Sequence, residues 1–237
     1  MYTAIFFSGG KDSLALLHMH EHLWDSAYVL WANPGAPYQS TLDAMQKWRE
    51  RLPHFIEVKG NQPEHIERFG YPVDVFPINY GAQAKALYGS DSDVKLQSYL
   101  DCCMANLWAP TMQAVKQLGV KRVIAAFRRE ESHDNMTRGD YEADGIRHEF
   151  PMLNWKEADV LAYLKERGIA LPEEYARGEK KSRDCWNCTA WVHEDIERIR
   201  NLPPEQRAEM KRRFTIIQDL TKRATRHLDA ALESANA

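Results

Sequence analysis

The chain has 237 residues, of which 44% are hydrophobic and 27% are charged, as in an ordinary globular protein. Its 31 lysines and arginines against 34 aspartates and glutamates give a net charge of −3, which excludes a strongly basic protein that coats nucleic acid. No segment approaches the roughly 20 apolar residues of a membrane span, and the N-terminus lacks the basic flank of a signal peptide. We therefore expect a cytoplasmic protein, not bound to membranes, whose four cysteines are ligands or catalysts rather than disulfides.

Short apolar runs alternate with helical patterns along the first half of the chain. Residues 2–7 are predicted to form a buried strand, and Lys11–Trp24 a helix with one buried face. The further predicted elements are a strand over 27–32, a helix over 40–51, and strands over 55–58 and 122–126. Strands that alternate with helices favour a three-layer α/β fold built on a largely parallel sheet.

The pattern changes after residue 150. A helix is predicted over 155–167, followed by a polar, loop-like stretch over 168–184 that leads to Cys185. From His193 onward two helices are expected, separated by Pro203-Pro204. We expect a main domain over residues 1–192 and a small helical C-terminal appendage over residues 193–237.

The segment Ser8-Gly9-Gly10-Lys11-Asp12-Ser13 follows the first predicted strand and begins the first predicted helix. A strand, a glycine turn and a helix N-terminus together make an anion site, because backbone N–H groups and the positive end of the helix dipole meet there. The segment is not a Walker A loop, since Ile5 and Asp12 stand where that loop needs glycine and serine or threonine. No G-x-G-x-x-G motif supports a dinucleotide site either.

This string resembles the signature of the PP-loop ATP pyrophosphatase superfamily. Members of that superfamily bind ATP, hold its β- and γ-phosphates in the loop and cleave ATP between the α- and β-phosphates. The resemblance implies ATP and Mg²⁺ as cofactors, with Lys11, Asp12 and Arg128 in catalytic roles. The nucleotide site that we predict on this basis comprises Ser8, Gly9, Gly10, Lys11, Asp12, Ser13, Asn33 and Arg128.

The four cysteines fall into two pairs, the adjacent Cys102 and Cys103 and the C-x-x-C of Cys185 and Cys188. Together they supply four thiolates, enough for a zinc ion or an iron–sulfur cluster. Structural zinc usually takes both halves as C-x-x-C, because adjacent cysteines have difficulty pointing at one tetrahedral ion. We therefore favour an iron–sulfur cluster over zinc, and either over four inert buried cysteines.

The neighbourhoods of these cysteines resemble the phosphoadenylyl-sulfate/adenylyl-sulfate reductase family from about residue 2 to about residue 191. The motifs, in the family's order, are CCMANLWAP over 102–110, FRREES over 127–132, PMLNW over 151–155 and CWNCT over 185–189. In the cluster-bearing branch a Cys-Cys pair and a C-x-x-C hold one [4Fe–4S] cluster beside the nucleotide. The resemblance thus implies that Cys102, Cys103, Cys185 and Cys188 are cluster ligands. It also implies that Arg128 contacts the nucleotide or its anionic group.

The chain departs from these reductases in three places. Their catalytic cysteine lies in a C-terminal Glu-Cys-Gly-x-His segment, whereas this chain has no cysteine after Cys188. Their loop lacks the Gly-Gly-Lys-Asp form, because their substrates have no β- and γ-phosphates to hold. Asp101 precedes the cysteine pair where the reductases tend to have a basic residue, which affects the redox tuning of the cluster rather than its ligation.

The first two departures favour a relative that uses ATP and adenylates an acceptor, which is a nucleic acid or a small molecule. Comparable proteins are the sulfurtransferase-like component of DNA phosphorothioation systems and tRNA-thiolating enzymes. Sulfur would then come from a donor protein. One alternative is a sulfonucleotide reductase that takes its thiol from a partner protein, and another is a nucleotide-sensing subunit of a larger assembly. The sequence is compatible with a homo-oligomer.

Overall fold

The structure is a computed structural model that describes residues 2–74, 77, 80–88, 96–131, 139–176, 179, 184–190 and 196–236. The strands are β1 (Thr3–Phe6), β2 (Tyr28–Asn33), β3 (Phe55–Lys59), β4 (Tyr71–Val73), β5 (Leu96–Ser98), β6 (Arg122–Ile124), β7 (Tyr141–Ala143) and β8 (Ile146–Glu149). The helices are α1 (Lys11–Met19), α2 (Gln39–Arg51), α3 (Gln62–Phe69), α4 (Ala82–Tyr88), α5 (Tyr99–Cys103), α6 (Ala109–Gln117), α7 (Glu157–Glu166), α8 (Glu173–Ala176), α9 (Glu197–Arg200) and α10 (Pro204–Ala235).

Six strands form the central sheet in the order β3-β2-β1-β6-β8-β7, and β4 and β5 form a small parallel sheet of their own. Every neighbouring pair in the central sheet is parallel except β7 with β8. The prediction of an α/β fold with a largely parallel sheet is therefore confirmed. The antiparallel edge arises because β7 and β8 are joined by a tight turn at Asp144 and Gly145, both with positive φ.

Successive residues of the inner strands face opposite sides of the sheet. On β1, Ile5 belongs to one core cluster and Ala4 to another, and both are fully buried. On β2, Val29 packs with Ile5, whereas Leu30 packs with Ala4. The two clusters also contain residues of α1 and α7 on one face and of α6 on the other. Because both faces are covered, the strands read as nearly continuous apolar runs.

The sheet changes its direction of connection at β1. The chain passes from β1 to β2 on one side, whereas β6 pairs with β1 on the other side. In open parallel sheets, ligands bind outside the carboxyl ends of the strands at such a switch point. The glycine turn leaves β1 at this point, so the fold places the predicted anion site where this architecture binds its ligands.

The helix predicted over Lys11–Trp24 is shorter than expected. It ends at Met19, and a short 3₁₀ turn covers Glu21–Leu23. The Trp24 indole donates to the Leu17 carbonyl at 2.9 Å, which folds the chain back against the end of α1. This reversal brings the chain to the start of β2 within a few residues.

The described part of the C-terminal region contains α9 and α10. The break between them falls at the predicted prolines, with Pro203 capping α10 and Pro204 beginning it. Met210 and Leu220 of α10 are buried in two clusters, one with Tyr38 and one with residues of β4 and β5. The predicted boundary at residue 192 falls within 191–195, outside the described residues, and stays a prediction. No helix in the described part of the chain has the length and apolar character needed to cross a membrane.

Candidate functional site

The turn after β1 depends on glycine. Gly9 has a φ of +84°, in the left-handed region that residues with a side chain rarely adopt. A Cβ atom on Gly9 would also lie 2.5 Å from the Cε atom of Met45. Gly10 then takes an extended conformation and caps α1 without a side chain. The backbone of the turn can therefore approach a ligand closely.

A ring of hydrogen bonds holds the turn together. The Ser13 hydroxyl donates to the Gly10 carbonyl at 3.0 Å, and it accepts from the Ser8 N–H at 3.2 Å. The two serine hydroxyl oxygens are 3.1 Å apart. Since the single Ser13 proton goes to Gly10, Ser8 is the donor between them. These hydrogen bonds fix the orientation of the Ser8 and Ser13 hydroxyls, which are predicted to contact the ligand.

Lys11, at the start of α1, is only 3% exposed. Its ammonium nitrogen lies 3.0 Å from Asp12 and 3.3 Å from Glu157, at the start of α7. The Lys11 N–H donates to the Tyr175 hydroxyl at 3.2 Å, and the ammonium group lies 5.4 Å from the centre of the Tyr175 ring. Burial raises the pKa of Tyr175, although Lys11 opposes this rise. Two carboxylates and an aromatic ring therefore surround the buried cation.

Arg128 follows β6 and is also 3% exposed. Its Nε donates to Asp12 at 2.5 Å, and a terminal nitrogen donates to Glu130 at 2.7 Å. The same Glu130 oxygen accepts from the Glu157 N–H at 2.7 Å. The structure thus brings Lys11, Asp12 and Arg128 into contact with one another, and their catalytic roles stay a prediction.

Asn33, at the carboxyl end of β2, is buried and engaged in hydrogen bonds. Its amide nitrogen donates to Glu57 at 2.6 Å, and its side-chain oxygen accepts from the Gly35 N–H at 2.9 Å. Burial raises the pKa of Glu57, but hydrogen bonds from Asn33 and Arg49 outweigh this and leave it below its usual value. In this geometry Asn33 shapes the loop after β2, and its predicted contact with the nucleotide stays a prediction.

A cavity of about 480 Å³ lies between the turn and the carboxyl ends of β1, β2 and β6. Its apolar walls include Leu30, Ala32 and Phe127. At the turn, Ser8 and Asp12 line it. Other residues that line it include Trp108, Thr111, Tyr141, His148, Phe150 and Asp184. An apolar cavity with a few converging polar groups is the usual form of a small-molecule site.

A larger cavity of about 730 Å³ borders the turn through Ser8, Gly9 and Gly10. It is bounded by α2 and by the segment over 167–174, and its lining includes Trp48 and Arg51. The Arg51 guanidinium lies 4.6 Å from the Trp48 ring centre. The turn therefore borders both cavities, and a ligand in either one can reach it.

The fold brings the two cysteine pairs into one neighbourhood. Burial, with a smaller contribution from the nearby Cys188, raises the pKa values of Cys102 and Cys103 to about 12. Burial likewise raises the pKa of Cys185, with contributions from Asp184 and from the other three cysteines. In the part of the chain that the structure describes, no three His, Cys, Asp or Glu side chains are grouped closely enough to hold a single metal ion.

Sequence reasoning missed Glu157 and Tyr175 as neighbours of Lys11. Glu157 stands in the first turn of α7, where an acidic residue is ordinary helix chemistry. Tyr175 lies 164 positions from Lys11, in the stretch that was expected to be a loop but contains α8. No local pattern distinguishes either residue, so only the tertiary fold identifies them.

Comparison with known proteins gives consistent matches. The chain is 31% identical over 163 residues to an adenosine 5'-phosphosulfate reductase of Burkholderia cepacia, covering 66% of this chain and 57% of that protein. It is 23% identical over 201 residues to an uncharacterized protein of Methanocaldococcus jannaschii, covering 84% of this chain and 44% of that protein. The chain therefore spans about half the length of these curated relatives.

A solved structure has the same fold. The phosphoadenylyl-sulfate (PAPS) reductase of Candida auris matches with a TM-score of 0.50 and 19% identity, covering 77% of this chain and 80% of that chain. Residues 3–199 match the family described as "Phosphoadenosine phosphosulfate reductase domain", which includes the glycine turn, Arg128 and all four cysteines. This match covers most of the chain and supports nucleotide binding. The chain belongs to the phosphoadenosine phosphosulfate reductase domain family.

Proposed function

We propose that this protein is an enzyme that binds ATP at the glycine turn and cleaves it between the α- and β-phosphates. The observation that carries the proposal is the turn itself, where the α1 N-terminus, the Ser8 and Ser13 hydroxyls and the buried Lys11 lie together. Such a helix N-terminus attracts phosphate through its amides and its dipole. The Lys11 N–H, at the start of α1, donates to the Tyr175 hydroxyl. In the proposed complex a phosphate oxygen would replace this hydroxyl as the hydrogen-bond acceptor.

The adenosine part of ATP would occupy the cavity of about 480 Å³. Its walls at Leu30, Ala32 and Ala125 are apolar and suit the faces of a base. The same cavity reaches the turn at Ser8 and Gly10. A nucleotide with its base in this cavity therefore extends its phosphates toward the turn.

In the proposed reaction an acceptor oxygen attacks the α-phosphorus. The bond from this phosphorus to the oxygen that bridges to the β-phosphate breaks, pyrophosphate leaves, and the acceptor proton passes to solvent. Negative charge grows on pyrophosphate, and Lys11 and the turn amides are positioned to stabilise it. Arg128, held by Asp12, would contact the α-phosphate. A nucleic acid or a small molecule is the proposed acceptor, and its adenylated site is then open to sulfur.

The oxygen donors beside Lys11 fit a magnesium ion. Mg²⁺ prefers one or two carboxylates together with substrate phosphates. Asp12 is the carboxylate next to the turn, with 14% of its side chain exposed. We expect Asp12 to hold Mg²⁺ jointly with the phosphates of ATP, where the ion supplies charge neutralisation for the leaving group.

The cysteines fit a [4Fe–4S] cluster better than a single zinc ion. The other three cysteines all act on the pKa of Cys185, and four thiols from two pairs match the four thiolates that this cluster needs. Buried thiols with raised pKa values keep their protons until a metal replaces them. Cys102, Cys103, Cys185 and Cys188 would hold the cluster. When bound, it supplies electrons or a sulfur site beside the cavity, near Asp184.

A second candidate function is the reduction of a sulfonucleotide with a thiol from a partner protein. The specific observation in its favour is the 31% identity with the Burkholderia cepacia adenosine 5'-phosphosulfate reductase. The Gly-Gly-Lys-Asp form of the turn, with a buried lysine, favours the triphosphate instead.

Product analysis separates these functions. Anaerobically prepared protein is incubated with Mg²⁺ and ATP labelled at the α- or γ-phosphate, with water as acceptor. We expect AMP from the α-label and pyrophosphate from the γ-label, whereas release of inorganic phosphate and ADP would contradict the proposed bond cleavage. A parallel incubation with adenylyl sulfate and dithiothreitol tests for sulfite, the product expected of a reductase.

A further inference from the structure

The helix that carries Cys102 and Cys103 is interrupted directly after them. α5 ends at Cys103, a π-helical turn covers Met104–Trp108, and α6 continues from Ala109. Wide turns of this kind occur mostly as single insertions in α-helices, and often at functional sites. Here the turn places the side chain of Asn106 beneath the cysteine pair, only 4% exposed.

Asn106 uses its side-chain amide at both ends. Its nitrogen donates to the Cys102 carbonyl at 2.9 Å and lies 3.9 Å from the Cys102 sulfur. Its oxygen accepts from the Asn61 N–H at 3.1 Å. One buried amide therefore ties the backbone and sulfur of Cys102 to the loop before α3.

That loop is fitted to the π-helical turn. A Cβ atom on Gly60 would lie 2.2 Å from the Asn106 carbonyl oxygen, so only glycine permits this approach. The same loop leads into Gln62, which is 1% exposed and whose side chain acts as a donor toward the Cys102 thiol, lowering its pKa against the effect of burial. Its Oε1 atom has no hydrogen-bond partner among the described residues. The polar atoms of a buried amide are normally all hydrogen-bonded. The Gln62 side chain is thus oriented so that its nitrogen serves Cys102 while its oxygen is left without a partner.

The two neighbouring cysteines stand in different surroundings. Cys188 acts on both cysteines. The side-chain amides of Asn106 and Gln62 act on Cys102, whereas the other groups that act on Cys103 are Cys102 and Asp184, which carry or develop negative charge. Hydrogen bonds to ligand sulfurs and nearby charge are what set the reduction potential of an iron–sulfur cluster. Donors stabilise the more negative, reduced state, and carboxylates oppose it.

We propose that Asn106 and Gln62 are positioning residues that fix Cys102 as a ligand and raise the reduction potential of the cluster through N–H···S hydrogen bonds. This inference rests on the proposed function, since it concerns the cluster assigned there to the four cysteines. The same role explains three features together: the π-helical turn that places Asn106, the glycine at position 60 and the unpaired oxygen of Gln62. It also compensates for the acidic residues near the cysteine pair.

The test uses the full-length protein with its cluster reconstituted under anaerobic conditions. Asn106→Leu removes the donor, Asn106→Ser retains a hydroxyl donor, and Gln62→Glu replaces the second amide by a carboxylate. The control is Gln97→Leu, because Gln97 is an equally buried amide whose hydrogen bonds go to Gly70 and His65 instead of a cysteine. The readouts are the midpoint potential, the spectrum of the reduced cluster and the rate of iron release to a chelator.

We expect Asn106→Leu and Gln62→Glu to shift the midpoint potential to more negative values. We also expect faster iron release, because losing an outer-shell partner of a metal ligand usually weakens metal affinity by about tenfold to a hundredfold. Asn106→Ser should lie between wild type and Asn106→Leu, and Gln97→Leu should match wild type in potential. If wild type holds a cluster and both donor variants keep its potential, the inference is wrong while the proposed function stands. If wild type takes up no iron, the cluster assignment itself fails, and the inference with it.

Discussion

Lys11 is the residue on which the proposed nucleotide chemistry depends most. Lys11→Ala should weaken ATP binding by about tenfold to a hundredfold, because it removes a charge-assisted contact to the phosphates. Iron content should be unchanged, since the cysteines lie on other elements. Calorimetry and iron analysis of the same preparation check both statements, with Lys116→Ala as control, because Lys116 pairs with Asp144 on the exposed surface. Loss of iron together with nucleotide would mean that the turn is structural.

Gly9 is the residue that shapes the turn. Gly9→Ala should destabilise the fold by about 1–2 kcal/mol through the left-handed φ alone. The contact with Met45 adds to this. Adding Met45→Ala to Gly9→Ala should remove the clash with the Met45 side chain but not the destabilisation caused by the left-handed φ. Urea unfolding of both single variants and the double variant measures the coupling, and strict additivity would argue against a contact between the two positions.

At the scale of elements, α10 divides into a packed and an exposed part. Met210 is fully buried, whereas Leu232 is 64% exposed. Met210→Ala should lower the free energy of unfolding by about 2–5 kcal/mol, as for other large-to-small core changes. Leu232→Ala should change it by less than about 0.5 kcal/mol. Similar losses for both in urea unfolding would mean that the end of α10 is covered in solution.

The sequence allows the inner strands and the glycine turn to be predicted, because β1, β2, β3 and β6 are short apolar runs and the turn is a local motif. The β7–β8 hairpin escapes prediction, since Tyr141–Ala143 is exposed along its whole length and has no apolar alternation. The side chains around Lys11 could not be predicted from the sequence for a different reason. Glu157 and Tyr175 reach Lys11 only through the tertiary fold, and their types alone indicate no partner.

At the scale of the whole molecule, the fold gathers four cysteines from two distant segments. Cys102→Ser and Cys188→Ser should each remove the iron–sulfur absorbance of the reconstituted protein, because a [4Fe–4S] cluster needs four thiolates. Visible absorbance together with iron and sulfide analysis measures this. A variant that retains a full cluster would overturn the ligand assignment. Zinc in place of iron in the wild-type protein would overturn the choice of metal.

We propose that this member of the family has a nucleotide site suited to a triphosphate. The most direct measurement is calorimetric titration of anaerobically purified protein with ATP, adenylyl sulfate and phosphoadenylyl sulfate in parallel. The buried Lys11 and the Gly-Gly-Lys-Asp turn predict tight binding of ATP and weak binding of both sulfonucleotides. Preference for either sulfonucleotide would contradict the claim and favour the reductase, with its thiol supplied by another protein.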